Sequence, residues 1–262
     1  QYFDLQFRPF EKLYSTIGLR RDEHTTSEEA FTGRGTLAYK LDKNSKIRTS
    51  FGTGIRYPAL YEYFYGTTYV NKEDLAPELS KSFDVGYQSS IEKANLNFDI
   101  TAFRITYDDA LEGWSNHDDG GNLAWGYGMT NAGAKIVSKG IELATKWKPK
   151  KDLSFGLNYN YNDTYDGADC DDPNIGSNCI DTAMVRVPRH LVTSSINYSH
   201  NEKLKNTFLV KHSSEVRDYG NVNNSWADKI LGAYTTVDYH GSYKLFNVYD
   251  LYFSAKNIFD ES

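Results

Sequence analysis

Apolar and polar residues alternate with a period of two over stretches of about ten residues, and this pattern constrains the fold most. Between 153 and 161 the apolar residues share one parity: Leu153, Phe155, Leu157, Tyr159 and Tyr161. Ser154, Gly156, Asn158 and Asn160 occupy the other parity. Because side chains on a strand alternate between faces, such a strand has one apolar and one polar wall. Soluble strands usually have about five or six residues, whereas a tilted strand of about ten matches a bilayer. The pattern therefore predicts strands of an outer-membrane β-barrel.

The same alternation recurs along the chain. It is found in the segments 13–20, 47–55, 79–91, 233–245 and 249–256. In the segment 94–107 the parity changes between Ala102 and Phe103, which predicts a β-bulge. One such segment would be weak support, but the repetition predicts an all-β protein with about twelve antiparallel strands.

Short and long connections between these segments also alternate. Tight turns are predicted at 9–10, 42–44, 92–93, 148–152, 200–203 and 246–247. Long polar loops are predicted at about 22–32, 56–77, 109–125, 167–184 and 220–231. Outer-membrane barrels have short periplasmic turns and longer extracellular loops. We therefore expect an up-and-down barrel with these loops on its outer side.

The composition agrees with this interpretation without proving it. No segment approaches the run of about 20 apolar residues that a membrane-spanning helix needs. A hydrophobic content of 39% is compatible with a barrel, because only every second strand residue faces lipid. The 21 tyrosines suit the aromatic girdles of barrels, although a secreted all-β domain with a tyrosine-rich surface fits the composition equally well. The net charge of -6 argues against nucleic acid as a partner.

Both cysteines of the chain, Cys170 and Cys179, fall in one predicted outer loop. In an oxidising compartment they would form a disulfide that closes this loop; the alternative is two unrelated thiols. Nearby aspartates could attract a hard cation: Asp169, Asp171, Asp172 and Asp181. The spacing and glycine of an EF-hand are missing, so we expect a solvated acidic loop and no metal site.

Five segments of the chain resemble characteristic segments of one protein family. The segment 51–58, followed by Leu60-Tyr61-Glu62, resembles the family's Gly-x-x-Arg-x-Pro and Leu-Tyr stretch. The other four are 71–86, 131–142, 187–190 and 255–260. They resemble the Asn-Pro-x-Leu-x-Pro-Glu-x-Ser segment, the Asn-x-x-x-Ala-x-x-x-Gly-Val-Glu strand, the Ile-Pro-Arg-His entry to a descending strand and the near-terminal Val-x-Asn-Leu-Phe-Asp, in the family's order. The family that these segments resemble is that of the TonB-dependent outer-membrane receptors.

This resemblance implies a 22-stranded transmembrane barrel in a Gram-negative outer membrane. Residues 1–262 would be a fragment of the barrel domain, roughly strands ten to twenty-one, without the plug and the last strand. The implied partners are outer-membrane lipid, the receptor's own plug domain and the TonB complex. We expect a monomer, and a fragment that neither inserts nor transports by itself because its sheet edges would be unpaired.

The plug of such a receptor would contact the polar strand faces. The candidate plug-facing residues are Arg20, Arg48, Asp84, Asp238, His240 and Lys244. The alternative is that these side chains are merely hydrated in the lumen.

The resemblance implies a ligand that is large and scarce, cobalamin or a ferric siderophore, captured by the outer loops. The loop lengths are most similar to the cobalamin-receptor branch. Candidate ligand-binding residues are Trp114, His117, Trp125, Tyr127, Tyr69 and Trp226. Aromatic rings offer large, stiff contact areas at a low ordering cost. A girdle at the lipid headgroups is the alternative for most loop aromatics, with Trp114 and Trp125 favoured as ligand contacts.

Nothing in the sequence indicates an enzyme. The six histidines are scattered, and no HExxH or GxSxG spacing occurs. We therefore expect no catalytic residues and no cofactor. Two other classes remain open: a passive porin or sugar channel, and a secreted carbohydrate-binding sandwich.

Overall fold

The structure is a computed structural model that describes residues 1–23, 29–64, 75–119, 122–131, 135–166, 182–222, 225–246 and 248–260. Its architecture is almost entirely antiparallel β-sheet.

Twelve strands follow one another in a continuous sheet. They are β1 (Tyr2–Phe10), β2 (Leu13–Asp22), β3 (Ala30–Lys40), β4 (Ser45–Arg56), β5 (Glu78–Ile91), β6 (Leu96–Asp108), β9 (Ile136–Lys150), β10 (Leu153–Asp166), β12 (His190–Ser199), β13 (Leu204–Ser213), β16 (Tyr234–Leu245) and β17 (Tyr249–Ala255).

The remaining elements lie in the connections. Two hairpins stand apart from the main sheet: β7 (Leu111–Asp119) with β8 (Asn122–Asn131), and β14 (Val216–Val222) with β15 (Ser225–Leu231). The two-residue strand β11 (Thr182–Ala183) pairs with β10. A short helix, α1 (Leu60–Phe64), follows β4, and a 3₁₀ turn spans Glu92–Ala94.

Each main-sheet strand pairs with the next main-sheet strand along the chain, in the order β1-β2-β3-β4-β5-β6-β9-β10-β12-β13-β16-β17. All these pairings are antiparallel. The predicted fold class, an all-β antiparallel up-and-down barrel represented by about twelve strands, is confirmed. The two hairpins were not predicted, since both segments had been assigned to polar loops.

The two faces of this sheet differ as the alternation predicts. On one face, large apolar side chains stand uncovered: Phe31 is 72% exposed, Phe51 52% and Phe83 53%. The opposite face carries polar and charged side chains that bond across strands. An apolar surface that follows the sheet from strand to strand marks a lipid or protein contact.

The bulge predicted between Ala102 and Phe103 is wrong. Through the described length of β6 the register runs without a shift, with Ala102 opposite Val85 and Phe103 opposite Asp84. Phe103 therefore lies on the polar face, where its partner on β9 is Gly140. A Cβ atom on Gly140 would lie 2.9 Å from Phe103 Cζ, so the glycine makes room for the ring. The change of parity reflects apolar residues on the polar face.

The short connections are tight turns closed by side chains. In the β3–β4 turn, Asp42 accepts hydrogen bonds from the Asn44 N–H at 2.7 Å and the Ser45 hydroxyl at 2.7 Å. The Ser45 hydroxyl, with the Asn44 N–H, holds the pKa of Asp42 below its usual value. In the β12–β13 turn, Asn201 Oδ1 accepts from the N–H groups of Lys203 and Leu204. The short turns lie at one end of the strands and the long connections at the other, which confirms the predicted alternation.

Among the described residues, no helix is both long enough and apolar enough to cross a membrane.

Candidate functional site

The predicted plug-facing residues share the polar face of the sheet. They are Arg20, Arg48, Asp84, Asp238, His240 and Lys244. Paired residues in a sheet point to the same side, and the strand registers carry this side from β1 to β17. That this face meets a plug stays a prediction.

Arg48 reaches across a neighbouring strand on the polar face. Its Nη2 donates to Asp99 Oδ1 at 2.7 Å and to Thr101 Oγ1 at 2.6 Å, both on β6. Gly86, on the intervening strand β5, is its register partner. Because glycine has no side chain, the guanidinium can pass over β5 and join strands that are not neighbours.

A second arginine crosses a strand in the same way. Arg34 on β3 pairs with Asp4 on β1 across Gly18 of β2. The sequence reasoning did not select Arg34 or Asp4. The sequence signal that could have found this pair is Gly18, a glycine at a polar-face position. Charged residues on the two flanking strands can form an ion pair across such a glycine.

Two carboxylates of the wall are also held by neighbours. Asp84 accepts a hydrogen bond from the Ser50 hydroxyl. Asp238, whose side chain is 10% exposed, accepts from Lys211 Nζ at 3.3 Å and from the Asn257 N–H at 2.9 Å. The wall is therefore a polar surface with local charge pairing, suited to non-covalent contact.

Five of the six candidate ligand-binding residues lie in the two hairpins that follow β6 and β13. Trp114 and His117 lie in β7, and Trp125 and Tyr127 lie in β8, so the structure brings these four into one hairpin. In its register Ser115 faces Tyr127, and the register shifts before His117 meets Ala124.

The remaining loop residues singled out from the sequence do not lie in the β7–β8 hairpin. Trp226 lies in β15, opposite Asn221 of β14, in the second hairpin. Tyr69, Cys170 and Cys179 lie outside the described residues, as do the four aspartates around the cysteines. Within the described ranges, no group of three or more His, Cys, Asp or Glu residues is arranged to hold a metal ion.

Tyr57 lies between the end of β4 and helix α1, in the β4–β5 connection. Partial burial raises the pKa of its phenol, and the carboxylates of Asp22 and Glu29 raise it further. Tyr57 follows β4, Asp22 ends β2 and Glu29 precedes β3. Because β3 and β4 are neighbours in the sheet, the end of the β2–β3 connection lies beside the start of the β4–β5 connection.

His190 has a structural environment. Its Nδ1 lies 2.9 Å from the Tyr159 hydroxyl, and its ring stacks against Tyr159 and tilts against Tyr161. These contacts give His190 a role in packing between β10 and β12.

Solved structures share this fold. The chain superposes on the siderophore receptor PirA from Acinetobacter baumannii with a TM-score of 0.76 and 16% identity, covering 99% of this chain and 41% of that chain. It superposes on a mutant of the ferric enterobactin receptor PfeA from Pseudomonas aeruginosa with a TM-score of 0.75 and 19% identity, covering 99% of this chain and 39% of that chain. It superposes on the ferripyoverdine receptor of the Pseudomonas aeruginosa outer membrane with a TM-score of 0.73 and 14% identity, covering 99% of this chain and 34% of that chain.

The chain thus spans about two fifths or less of the length of these proteins. No curated protein matches the sequence. The family model described as TonB dependent receptor-like, beta-barrel matches residues 1–258, almost the whole chain. With its twelve-stranded antiparallel wall and its two contrasting faces, the chain belongs to the TonB-dependent receptor β-barrel family.

Proposed function

We propose that this chain forms part of the wall of an outer-membrane receptor that takes up a large, scarce nutrient in a Gram-negative bacterium. The observation that carries the proposal is the contrast between the two faces of the main sheet, one with uncovered apolar side chains and the other with polar side chains bonded across strands. Lipid would cover the first face, and a plug domain inside the barrel would contact the second. Family membership favours this receptor over a passive porin or sugar channel.

The wall would hold the plug without covalent chemistry. In a bilayer every backbone polar group needs an internal partner, and the continuous antiparallel ladder provides it along each inner strand. Arg20, Arg48, Asp84, Asp238, His240 and Lys244 would meet the plug through hydrogen bonds and charge pairs. Energy for transport would come from TonB, which pulls on the plug.

The outer loops would capture the nutrient. Trp114, His117, Trp125 and Tyr127 of the β7–β8 hairpin, with Tyr69 and Trp226, would supply contact area for a rigid chelate. A Cys170–Cys179 disulfide would restrict the loop that carries it.

A ferric siderophore is the first nutrient to test. PirA is described as a siderophore receptor and PfeA as a ferric enterobactin receptor. Identities of 16% and 19% support a shared fold and do not identify the nutrient. A ferric siderophore as the nutrient is therefore part of the proposal. Cobalamin is the other nutrient that the sequence segments suggest.

Uptake measurements on the complete gene product test this function. Cells carrying it would receive radiolabelled ferric enterobactin, ferripyoverdine or cyanocobalamin, with and without TonB. We expect accumulation of one probe that needs TonB and stops when a protonophore collapses the proton gradient. Accumulation of small sugars that is indifferent to TonB would instead identify a passive channel.

A further inference from the structure

Two long outer connections are joined at their bases by polar side chains. The first connection, 57–77, contains α1, and the second, 109–135, contains the β7–β8 hairpin. We call the four side chains that join them the loop junction: Arg56, Glu62, Glu78 and Asn131.

Arg56, the last residue of β4, bridges two carboxylates. Its Nη1 donates to Glu62 Oε1 at 3.0 Å and to Glu62 Oε2 at 3.1 Å, and its Nε donates to Glu78. The planar fork of a guanidinium suits this double role, because its donors point to two acceptors at once. Arg56 therefore ties helix α1 to the start of β5.

Glu62 is the buried member of the junction, with a side chain only 3% exposed. Besides Arg56, it accepts from the Ala59 N–H at 2.6 Å and from the Tyr61 hydroxyl at 3.3 Å. A buried carboxylate is stable only when its oxygens are paired. The position of α1 thus depends on the bond to Arg56.

Glu78 extends the junction to the second connection. While one of its oxygens accepts from Arg56, Oε1 accepts from the Leu111 N–H at 2.7 Å. Leu111 is the first residue of β7. A continuous path therefore runs from Glu62 through Arg56 and Glu78 to the hairpin.

Asn131 makes a second bridge at the other end of the hairpin. Its Oδ1 accepts from the Ala76 N–H at 2.8 Å, and its Nδ2 donates to the Ala76 carbonyl at 2.9 Å and to the Asp109 carbonyl at 2.7 Å. Ala76 precedes β5, so the end of the first connection is fixed to both bases of the second. The backbone of helix α1 also lies close to that of β8.

We propose that the loop junction makes the two connections one mechanical unit, so that a ligand that contacts either connection also changes the stability of the other. Arg56, Glu62, Glu78 and Asn131 are positioning residues that set the places of α1 and the hairpin together. Networks whose polar groups are all paired respond as a whole, because the loss of one member leaves the others unsatisfied. The coupling stands on these contacts alone, whereas its role in ligand capture rests on the proposed function.

Hydrogen exchange of the complete protein in detergent micelles tests the coupling. Glu62→Gln removes the charge that faces Arg56 but leaves every hairpin contact of Glu78 and Asn131 in place. If the connections are one unit, exchange should become about tenfold faster at the Ala59 amide and also at Leu111, which Glu62 does not contact. Faster exchange confined to 57–64 would overturn the proposal.

Asn131→Leu tests the coupling in the opposite direction. It breaks the second bridge, and we expect faster exchange at Ala76 and at Ala59. The double variant should accelerate exchange at Ala59 no more than the larger single change, since both act on one unit; simple additivity would contradict coupling. If Glu62→Gln yields no folded, heat-modifiable barrel, Asn131→Leu alone decides, because unchanged exchange at Ala59 rejects the proposal.

Arg186→Gln is the matched control. It breaks an ion pair with Asp218 at 2.7 Å that belongs to other connections, and it should leave exchange at Ala59 and Leu111 unchanged. The three variants are then titrated with ferric enterobactin, ferripyoverdine and cyanocobalamin. If none of these probes binds the wild-type protein, the proposed nutrients fail while the exchange data still decide the coupling. If one binds, Glu62→Gln and Asn131→Leu should each weaken it about tenfold and Arg186→Gln should not; equal weakening by all three would reject a specific role for the junction.

Discussion

Arg48 and Asp99 are bonded at 2.7 Å although their strands are separated by β5. The bond passes over Gly86, and Arg34 reaches Asp4 over Gly18 by the same device. Each pair joins, through side chains on the polar face, the two strands that flank the strand of the glycine, in addition to the backbone ladder. Glycines on this face are therefore sites of close approach, and their substitution has a predictable cost.

Gly86→Ala should destabilise the barrel. The new Cβ would lie 2.8 Å from Arg48 Nε and 2.9 Å from Thr101 Oγ1, so Arg48 must move and release Asp99. We expect a loss of about 1–3 kcal/mol, seen as a lower temperature for the heat-induced gel shift of the complete protein.

Gly35→Ala is the control for this substitution. A Cβ at Gly35 meets no heavy atom within 4 Å, so the gel-shift temperature should stay the same. If the two substitutions lowered the gel-shift temperature equally, the loss would come from the glycine backbone. The crossing of Arg48 over Gly86 would then not contribute to stability.

The two faces of β10 should respond oppositely to a new charge. Leu157 lies on the apolar face, where it is 37% exposed, and Asn158 lies on the polar face. On a lipid-facing wall, Leu157→Lys should cost about 2–4 kcal/mol near the midplane of the bilayer, whereas Asn158→Lys should cost little. Urea titration of the complete protein folded into lipid vesicles measures both; similar losses for the two would contradict a lipid-facing apolar side.

The faces of the strands were predictable from sequence because they depend on a local rule. Each residue alternates sides, so the segment 153–161 alone reveals both walls. At Phe103 the alternation of sides holds, but an aromatic residue lies on the polar face. This residue looked like a shifted parity, and only the partner Gly140 explains how the ring fits.

Contacts between distant segments could not be read in this way. The Arg34–Asp4 pair depends on the register of three strands, which no single strand specifies. The hairpins β7–β8 and β14–β15 form outside the main sheet from polar sequence that resembles ordinary loop. The bridging of Glu62 and Glu78 by Arg56 was likewise hidden, although all three residues lie in segments that resemble the family.

The β3–β4 turn should depend on pH through Asp42. The pKa of this carboxyl is lower in the folded protein than its ordinary value, because the Ser45 hydroxyl and the Asn44 N–H bond to its charged form. A depressed folded pKa means that the contribution is fully present above the unfolded pKa of about 4 and is lost as pH falls through the lower folded value.

We therefore expect protection of the Asn44 amide, after correction for intrinsic exchange, to fall as the pH is lowered below about 4. Asp42→Asn should remove this dependence, since an amide does not titrate in that window. Hydrogen exchange at a series of acidic pH values measures it, and identical pH profiles for the two proteins would exclude Asp42 as the titrating group.

The tryptophans should divide into ligand contacts and membrane anchors. Trp147 lies on the apolar face and stacks on Phe155 with ring centroids 5.4 Å apart, as expected of a side chain at the lipid interface. Trp114 lies instead in the β7–β8 hairpin, beyond the main sheet. For whichever of ferric enterobactin, ferripyoverdine or cyanocobalamin binds, Trp114→Ala should weaken affinity by roughly 10- to 100-fold, as loss of an aromatic anchor does, without changing the gel-shift temperature. Trp147→Ala should lower that temperature and leave affinity intact. Because the two substitutions remove the same side chain, a shared loss of stability with unchanged affinity would assign Trp114 to the membrane girdle.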